Sequence, residues 1–249
     1  MSVPQQRLTL YTQRLAQDDG GHAIWQEVTI DRTVDANRVA IIICDMWDAH
    51  WSRGASERVD AMVGRMSAVV EHAREKGMVI IHAPSDTLGF YAGTPARRRA
   101  LKPPIVSPPA YLVHDDPPLP IDDSDEGSDT GEAAPHHAWS RQHPALRIDE
   151  ARDYISDAGS QVYSILRAHD IEQVLIMGVH TNMCILNRSF GIKQLVRWDI
   201  PVALVRDLTD AMYNPARSPY VSHAEGTRLV IEYIARFWCP TVTSAELLV

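Results

Sequence analysis

The run Val39-Ala40-Ile41-Ile42-Ile43-Cys44 constrains the fold more than any other segment of this chain. It is continuously apolar and mostly β-branched, with no polar residue at alternate positions, so we expect a strand that is buried on both faces. Such strands belong to parallel sheets that helices cover on two sides. The run ends on a carboxylate, Asp45, which would lie at the carboxyl end of the strand.

Strand and helix patterns alternate along most of the chain. Apolar residues recur at helical spacing over residues 57–76, and Gly77 supplies a C-terminal stop before a second buried strand at 78–82. The later segments predict a short strand near 145–148, a helix at about 160–168, a strand at 174–177, a helix beginning near Asn182, a strand at 202–205 and a last helix around 222–237. Because right-handed crossovers place helices on both faces, we predict a three-layer α/β/α, Rossmann-like fold with a parallel sheet of about six strands.

The 249 residues are predicted to form a single domain, 1–249, with two decorations. Residues 1–32 form an N-terminal extension in which 7–14 and 24–30 alternate like strands, which predicts a small hairpin appended to the main sheet. Residues 95–144 are rich in Pro, Asp, Ser and Gly and show no sustained period, so they read as a long insertion or lid.

Composition narrows the classes of partner. Hydrophobic residues make up 45% and charged residues 22% of the chain, as in ordinary globular proteins, and the net charge is −8. An acidic chain without a basic face disfavours nucleic acid and anionic membranes as partners. No long apolar core of a signal peptide or membrane span is visible, so we expect a cytoplasmic protein. The three cysteines are far apart and fit neither a disulfide framework nor a zinc template.

Cys184 follows a buried strand, Gly178 and a short polar turn, and a helix is predicted to begin there. Ligands of open α/β sheets bind at the carboxyl ends of strands, which is where this turn delivers the thiol. A cap from Thr181 or Asn182 would leave Cys184 in the first helical turn, where the helix dipole lowers a thiol pKa. An inert buried thiol is the alternative, and it is the reading we prefer for Cys44 and Cys239.

Asp45 strengthens the functional interpretation of Cys184, because both residues end strands at the same edge of the sheet. A carboxylate there can take the thiol proton and return it to a leaving amine, although capping the next turn is a simpler role. Side chains in the loops at this edge are expected to bind a small planar substrate, or only to cover the core. They are Trp47, His50, His82 and His180, with Trp51 nearby.

The strand-ending aspartate in ICDMWDAHW and the turn GVHTNMC resemble the two signature segments of isochorismatase-like cysteine hydrolases, a group that includes nicotinamidases, carbamoylsarcosine amidohydrolase and ureide or biuret hydrolases. The resemblance implies that Cys184 attacks a carbonyl to form a thioester while Asp45 shuttles protons. It also implies a cis peptide bond between Val179 and His180, which aims the N–H groups of His180 and Cys184 at the oxyanion. Amide or ureide cleavage is favoured over vinyl-ether hydrolysis, since relatives that perform the latter lack the cysteine.

The same resemblance implies a small-molecule substrate, no cofactor and a homo-oligomer. No metal is expected, because Asp48-Ala49-His50 offers too few ligands.

The sequence departs from the family at the third catalytic residue, a lysine in the segment after the third strand. Here that segment contains Arg147 and Arg152 but no lysine, and Lys102 would have to reach in from the insertion. None of the three matches by position, and an arginine shuttles protons poorly. Two rival functions therefore stay open: a catalytically impaired member that binds a small molecule or partner, and a thiol redox protein.

Overall fold

A computed structural model describes residues 3–249, and it contains a single eight-stranded sheet. The strand order is β2-β1-β8-β7-β6-β3-β4-β5. The strands are β1 Gln5–Gln17, β2 Ala23–Asp35, β3 Val39–Cys44, β4 Val79–Ala83, β5 Tyr154–Ile155, β6 Gln173–Val179, β7 Val202–Asp210 and β8 Thr241–Val242. The pairs from β8 to β5 are all parallel, whereas β1 runs antiparallel to both β2 and β8.

The α/β prediction is confirmed. The predicted number of strands was wrong, as were the place of the N-terminal hairpin and that of the strand predicted near 145–148. The predicted hairpin exists, but it is not an appendage, because β1 pairs with β8 and extends the same sheet to eight strands. No strand forms at 145–148; the edge strand β5 lies at Tyr154–Ile155 instead, beside β4. Alternation of apolar and polar residues at 145–148 was too short to specify a strand without a sheet partner.

Helices cover the two faces of the sheet. They are α1 Arg53–Glu75, α2 Pro95–Ala100, α3 Gly159–Ala168, α4 Cys184–Asn187, α5 Ile192–Arg197 and α6 His223–Phe237. Helix α1 packs on one face, and α3 to α6 pack on the other. Strand β3 is buried on both faces as its sequence predicts, since Ile42 belongs to the α3–α6 side and Ile43 to the α1 side.

The insertion at 95–144 packs against the carboxyl edge of the sheet, mostly without regular structure. Arg58 of α1 holds it through a two-pronged ion pair with Asp129 at 2.9 and 3.1 Å, while its Nε binds Asp210 at the end of β7 at 2.8 Å. Gly127 lies so close to the backbone of Met212 that a side chain there would collide with it. These contacts place the insertion beside the strand ends, where sites of this fold are found.

Within residues 3–249, no helix is both long enough and apolar enough to cross a membrane.

Replacing Gly178 by alanine is expected to destabilise the protein by several kcal/mol. Gly178 has φ +118°, and a Cβ atom there would collide with the carbonyl oxygen of Cys44 on the neighbouring strand. The measurement is the urea midpoint of unfolding. Gly64→Ala is the control, because Gly64 is exposed in α1 with open space around it and should gain about 0.5–1 kcal/mol from helix propensity. Equal midpoints for the two variants would contradict the argument.

Candidate active site

Asp45 is the fully buried centre of the site, with 0% of its surface exposed. It follows β3 directly, and its backbone is left-handed with φ +48°. The Oδ1 atom accepts a hydrogen bond from the backbone N–H of Ser85 at 2.8 Å, and Oδ2 accepts one from Nε of Arg188 at 2.9 Å. Burial raises the pKa of Asp45, and the Arg188 charge and the Ser85 contacts oppose this rise. The carboxylate is thus a stronger base than an exposed one.

Arg188 is the cation of the site, and it was not among the residues predicted from the sequence. It lies four residues after Cys184, immediately past the short helix α4, and about 30% of its side chain is exposed. Its guanidinium joins Asp45 to Asp86, whose Oδ2 lies 3.2 Å from Nη2. The charge of Asp45 raises the pKa of Arg188 against the effect of burial, so the guanidinium stays protonated.

The cations considered from the sequence do not reach Asp45. Arg147 and Lys102 are exposed, and Arg152 pairs with Asp149 at 2.7 Å on the surface. The spacing of four residues between Cys184 and Arg188 is the signal that would have found the true cation, since residues four apart share a face of a helical turn.

Cys184 opens α4 and is partly buried next to Asp45. Burial and the nearby Asp45 carboxylate raise the pKa of its thiol to about 12, while Arg188 and the backbone N–H of His180 act in the opposite direction. The expectation of a lowered pKa was therefore wrong. A helix of only four residues has too small a dipole to outweigh a buried carboxylate in contact with the sulfur.

The turn before Cys184 is held by polar contacts rather than by a helix cap. The N-cap residue is Met183, which makes no side-chain cap, so the predicted capping by Thr181 or Asn182 was wrong. The hydroxyl of Thr181 lies 2.7 Å from that of Thr209. The amide of Asn182 accepts from the Met212 N–H at 2.9 Å and donates to the Met212 carbonyl at 3.0 Å, which fixes the turn to the segment after β7.

The peptide bond between Val179 and His180 is cis, which is the geometry that the resemblance implied. The N–H of His180 points toward the sulfur of Cys184 and has no backbone acceptor among the described residues. The N–H of Cys184 likewise has no backbone acceptor within 3–249. Both donors are thus available to an oxygen that develops charge beside the sulfur.

Aromatic and imidazole rings form a wall on one side of Asp45. Trp47 stacks on Trp139 of the insertion with ring centroids 4.2 Å apart, and His50 meets His180 edge to face at 4.9 Å. Burial lowers the pKa of His50 to about 4 and that of His180 to about 3, so both rings are neutral at pH 7. Trp47, His50, His180, Val179 and Asp45 line a narrow cavity of about 30 Å³.

His82 does not belong to this wall, although the sequence analysis placed it there. It is 0% exposed, and its two ring nitrogens bind Gln142 at 2.8 Å and Asp153 at 3.0 Å. Asp153 in turn pairs with Arg74 of α1 at 2.6 Å. The alternation of β4 turns His82 toward α1, so the side chain stabilises the core and is not free to bind a substrate.

On the other side of Asp45 an open groove of about 480 Å³ leads to the sulfur. Cys184 and Arg188 line it together with Asn182, Met183 and Asn187. The insertion contributes Leu119 and Asp123 to the same lining. The nucleophile, the buried base, its cation and two free N–H donors therefore meet at the end of a solvent-open groove, which suits attack on a carbonyl group.

No group of three or more His, Cys, Asp or Glu side chains that could hold a metal ion occurs within residues 3–249. The sequence expectation of no metal and no cofactor stays a prediction.

One family model matches this chain, and solved structures share its fold. A family model described as an isochorismatase domain matches residues 39–218. A cysteine hydrolase from Pseudomonas syringae pv. phaseolicola 1448A superposes with a TM-score of 0.56 at 20% identity, covering 86% of this chain and 92% of that one. An isochorismatase from Pseudomonas putida KT2440 superposes with a TM-score of 0.51 at 13% identity, covering 85% and 91%. A search among curated proteins gave no significant match.

Proposed function

Because this chain belongs to the isochorismatase family of hydrolases, we propose that it cleaves the C–N bond of a small amide, carbamoyl or ureide compound through a thioester on Cys184. The observation that carries the proposal is the contact of Cys184 with Asp45, which is itself paired with Arg188 at 2.9 Å at the end of an open groove. The cysteine favours C–N over vinyl-ether C–O cleavage, because an acyl intermediate needs a nucleophile.

In the acylation step Asp45 takes the thiol proton while the sulfur attacks the substrate carbonyl. The raised pKa of the Asp45 carboxyl makes it a better acceptor of the thiol proton, whereas the raised pKa of the Cys184 thiol opposes the transfer. The direct contact between the two groups lets the proton move as the sulfur attacks the carbonyl. The N–H groups of His180 and Cys184 then stabilise the oxyanion. When the C–N bond breaks, the protonated Asp45 returns its proton to the leaving nitrogen, and a thioester remains on Cys184.

In the deacylation step Asp45 activates water. A proton passes from water to the carboxylate as the oxygen attacks the thioester, the C–S bond breaks, and the thiolate regains the proton. The narrow cavity beside Asp45, His50 and His180 has room for one or two water molecules next to the carboxylate. Arg188 takes no part in these transfers, because its guanidinium does not deprotonate; its charge favours the ionised form of Asp45 against the effect of burial.

Arg188 also bears on the rival function, an impaired member that only binds. The reason to consider that rival was the missing lysine. Because the buried carboxylate of Asp45 is paired with the guanidinium of Arg188, the site has a cation without that lysine, and this reason loses weight. A redox role has no further support, because all three cysteines are free and the two others, Cys44 and Cys239, are buried in the core.

Trapping of the thioester tests the proposal. The protein is mixed with a panel of primary amides, carbamoyl compounds and ureides, quenched in acid within the first turnover and weighed by mass spectrometry. We expect a mass gain equal to the acyl group of a turned-over substrate, mapped to the peptide of Cys184 and removed by hydroxylamine. If the substrate is turned over but no adduct appears at Cys184, in a quench fast enough to catch the first turnover, the thioester route is contradicted. If no class of compound in the panel shows cysteine-dependent turnover, the rival function, a family member that only binds, is favoured.

A further inference from the structure

The insertion brings one unpaired carboxylate to the groove of the nucleophile. Asp123 lines the groove together with Cys184 and Arg188. Its Oδ2 accepts a hydrogen bond from the side-chain amide of Asn182 at 2.8 Å. Its Oδ1 has no hydrogen-bond partner and no cation lies within ion-pair distance in the part of the chain that the structure describes. A partly buried, unpaired charge beside a nucleophile needs a partner that the protein itself does not supply.

Neighbouring contacts hold Asp123 in place. The backbone N–H of Asp122 donates to the carbonyl of Ser218 at 2.8 Å, and Asp125 binds Asn214 at 2.9 Å. Asn182 cannot turn away, because its amide is fixed by two hydrogen bonds to the backbone of Met212. The Asp123 carboxylate is therefore a fixed feature of the groove rather than a side chain on a free loop.

The other charges at the groove do not offset Asp123. Arg188 is the one cation among the lining residues, and it is already shared by two carboxylates, Asp45 and Asp86. Arg217, the nearest cation of the adjoining loop, pairs with Asp125 at 3.0 Å. Three carboxyl groups therefore stand against one guanidinium near the nucleophile; they are Asp45, Asp86 and Asp123, against Arg188.

Resting on the proposed function, we propose that Asp123 selects the substrate: the groove takes amides or ureides whose remote end carries a positive charge or several N–H donors, and it disfavours those that carry a carboxylate. The free Oδ1 of Asp123 accepts from the remote N–H groups while the carbonyl lies at Cys184. A carboxylate-bearing substrate would instead bring a further negative charge into a groove whose only lining cation is already neutralised.

The reactivity of Cys184 toward charged thiol reagents tests this inference without any turnover. The probes are a cationic trimethylammonioethyl methanethiosulfonate, an anionic sulfonatoethyl methanethiosulfonate and neutral iodoacetamide, each followed by mass spectrometry of the Cys184 peptide. Two charges a few ångströms apart in a partly solvated groove change a rate by on the order of tenfold. The measured quantity is the ratio of the cationic to the anionic reaction rate. We expect this ratio to be about tenfold higher for Cys184 of the wild type than for a free thiol in solution.

Two variants localise the effect. Asp123→Asn keeps an oxygen for the Asn182 bond and removes the charge. It should lower the ratio of the cationic to the anionic rate severalfold, with both rates normalised to the iodoacetamide rate of the same variant. Glu126→Gln removes the same charge from an exposed position of the same loop and should leave the preference unchanged. Any of three results would overturn the inference. The wild type could show the same preference as a free thiol, Asp123→Asn could show the same preference as the wild type, or Cys184 could remain unlabelled. Because no outcome depends on turnover, failure of the selection is distinguishable from failure of the hydrolase proposal.

Discussion

Asp45→Asn is expected to lower kcat/KM by on the order of 10³–10⁴-fold, because an amide cannot take the proton of a thiol whose pKa is near 12. Asp45 itself causes part of the raised thiol pKa, so this pKa falls in the variant, but burial of the thiol remains. No carboxylate among residues 3–249 then contacts the sulfur to take its proton. The substrate groove is not altered, so KM should change much less than kcat. The measurement is steady-state kinetics on the best substrate of the amide panel.

Asp86→Asn is the matched control for this loss. It removes the other carboxylate that binds Arg188, at 3.2 Å, and it leaves the base in place. We expect a decrease of less than about tenfold, since Asp86 is half exposed and acts only through the guanidinium. Circular dichroism and urea midpoints of both variants establish that they fold. A decrease of similar size in both, or one below tenfold in Asp45→Asn, would remove Asp45 from the proposed role of base.

The sequence was sufficient to find the two strands that carry the site. The apolar runs of β3 and β6 specify central parallel strands, and a parallel sheet brings all its carboxyl ends to one edge. The sequence thus placed Asp45 and Cys184 at the same edge, and the structure adds that β3 and β6 are adjacent. The contact follows from the pleat and the register, with Cys44 opposite Gly178, and needs no detail of side-chain packing.

The parts of the site that escaped prediction depend on long-range packing. Arg188 was missed because a cation was sought where the resemblance implies a lysine, after the third strand, whereas the structure supplies it from the residue just past α4, which turns back toward Asp45. Asp123 and Trp139 belong to an insertion without a period, so nothing local fixes where they lie. The prediction that His82 binds the substrate was wrong, because the sequence alone does not tell which face of β4 its side chain is on.

Arg188→Met is expected to lower kcat/KM by on the order of 10²–10³-fold at pH 7, whereas Arg188→Lys should retain most of the activity. Burial raises the pKa of Asp45, and Arg188 is the main charge that opposes this rise. Without the guanidinium the carboxyl pKa goes up further, so a larger fraction of Asp45 is protonated and unable to accept the thiol proton. The activity of Arg188→Met should then recover as the pH is raised, with the acid limb of its kcat/KM profile displaced to higher pH than in the wild type.

The pH profile separates this role from a merely structural one, because a loosened site would lose activity equally at every pH. A double variant gives a second criterion. Since Arg188 acts through Asp45, adding Arg188→Met to Asp45→Asn should cost little more than Asp45→Asn alone. Additive losses, or an acid limb that stays where the wild type has it, would mean that Arg188 contacts the substrate rather than tuning the base. The lysine variant completes the comparison, because its ammonium supplies the same positive charge without the planar guanidinium and should hold the acid limb near its wild-type position.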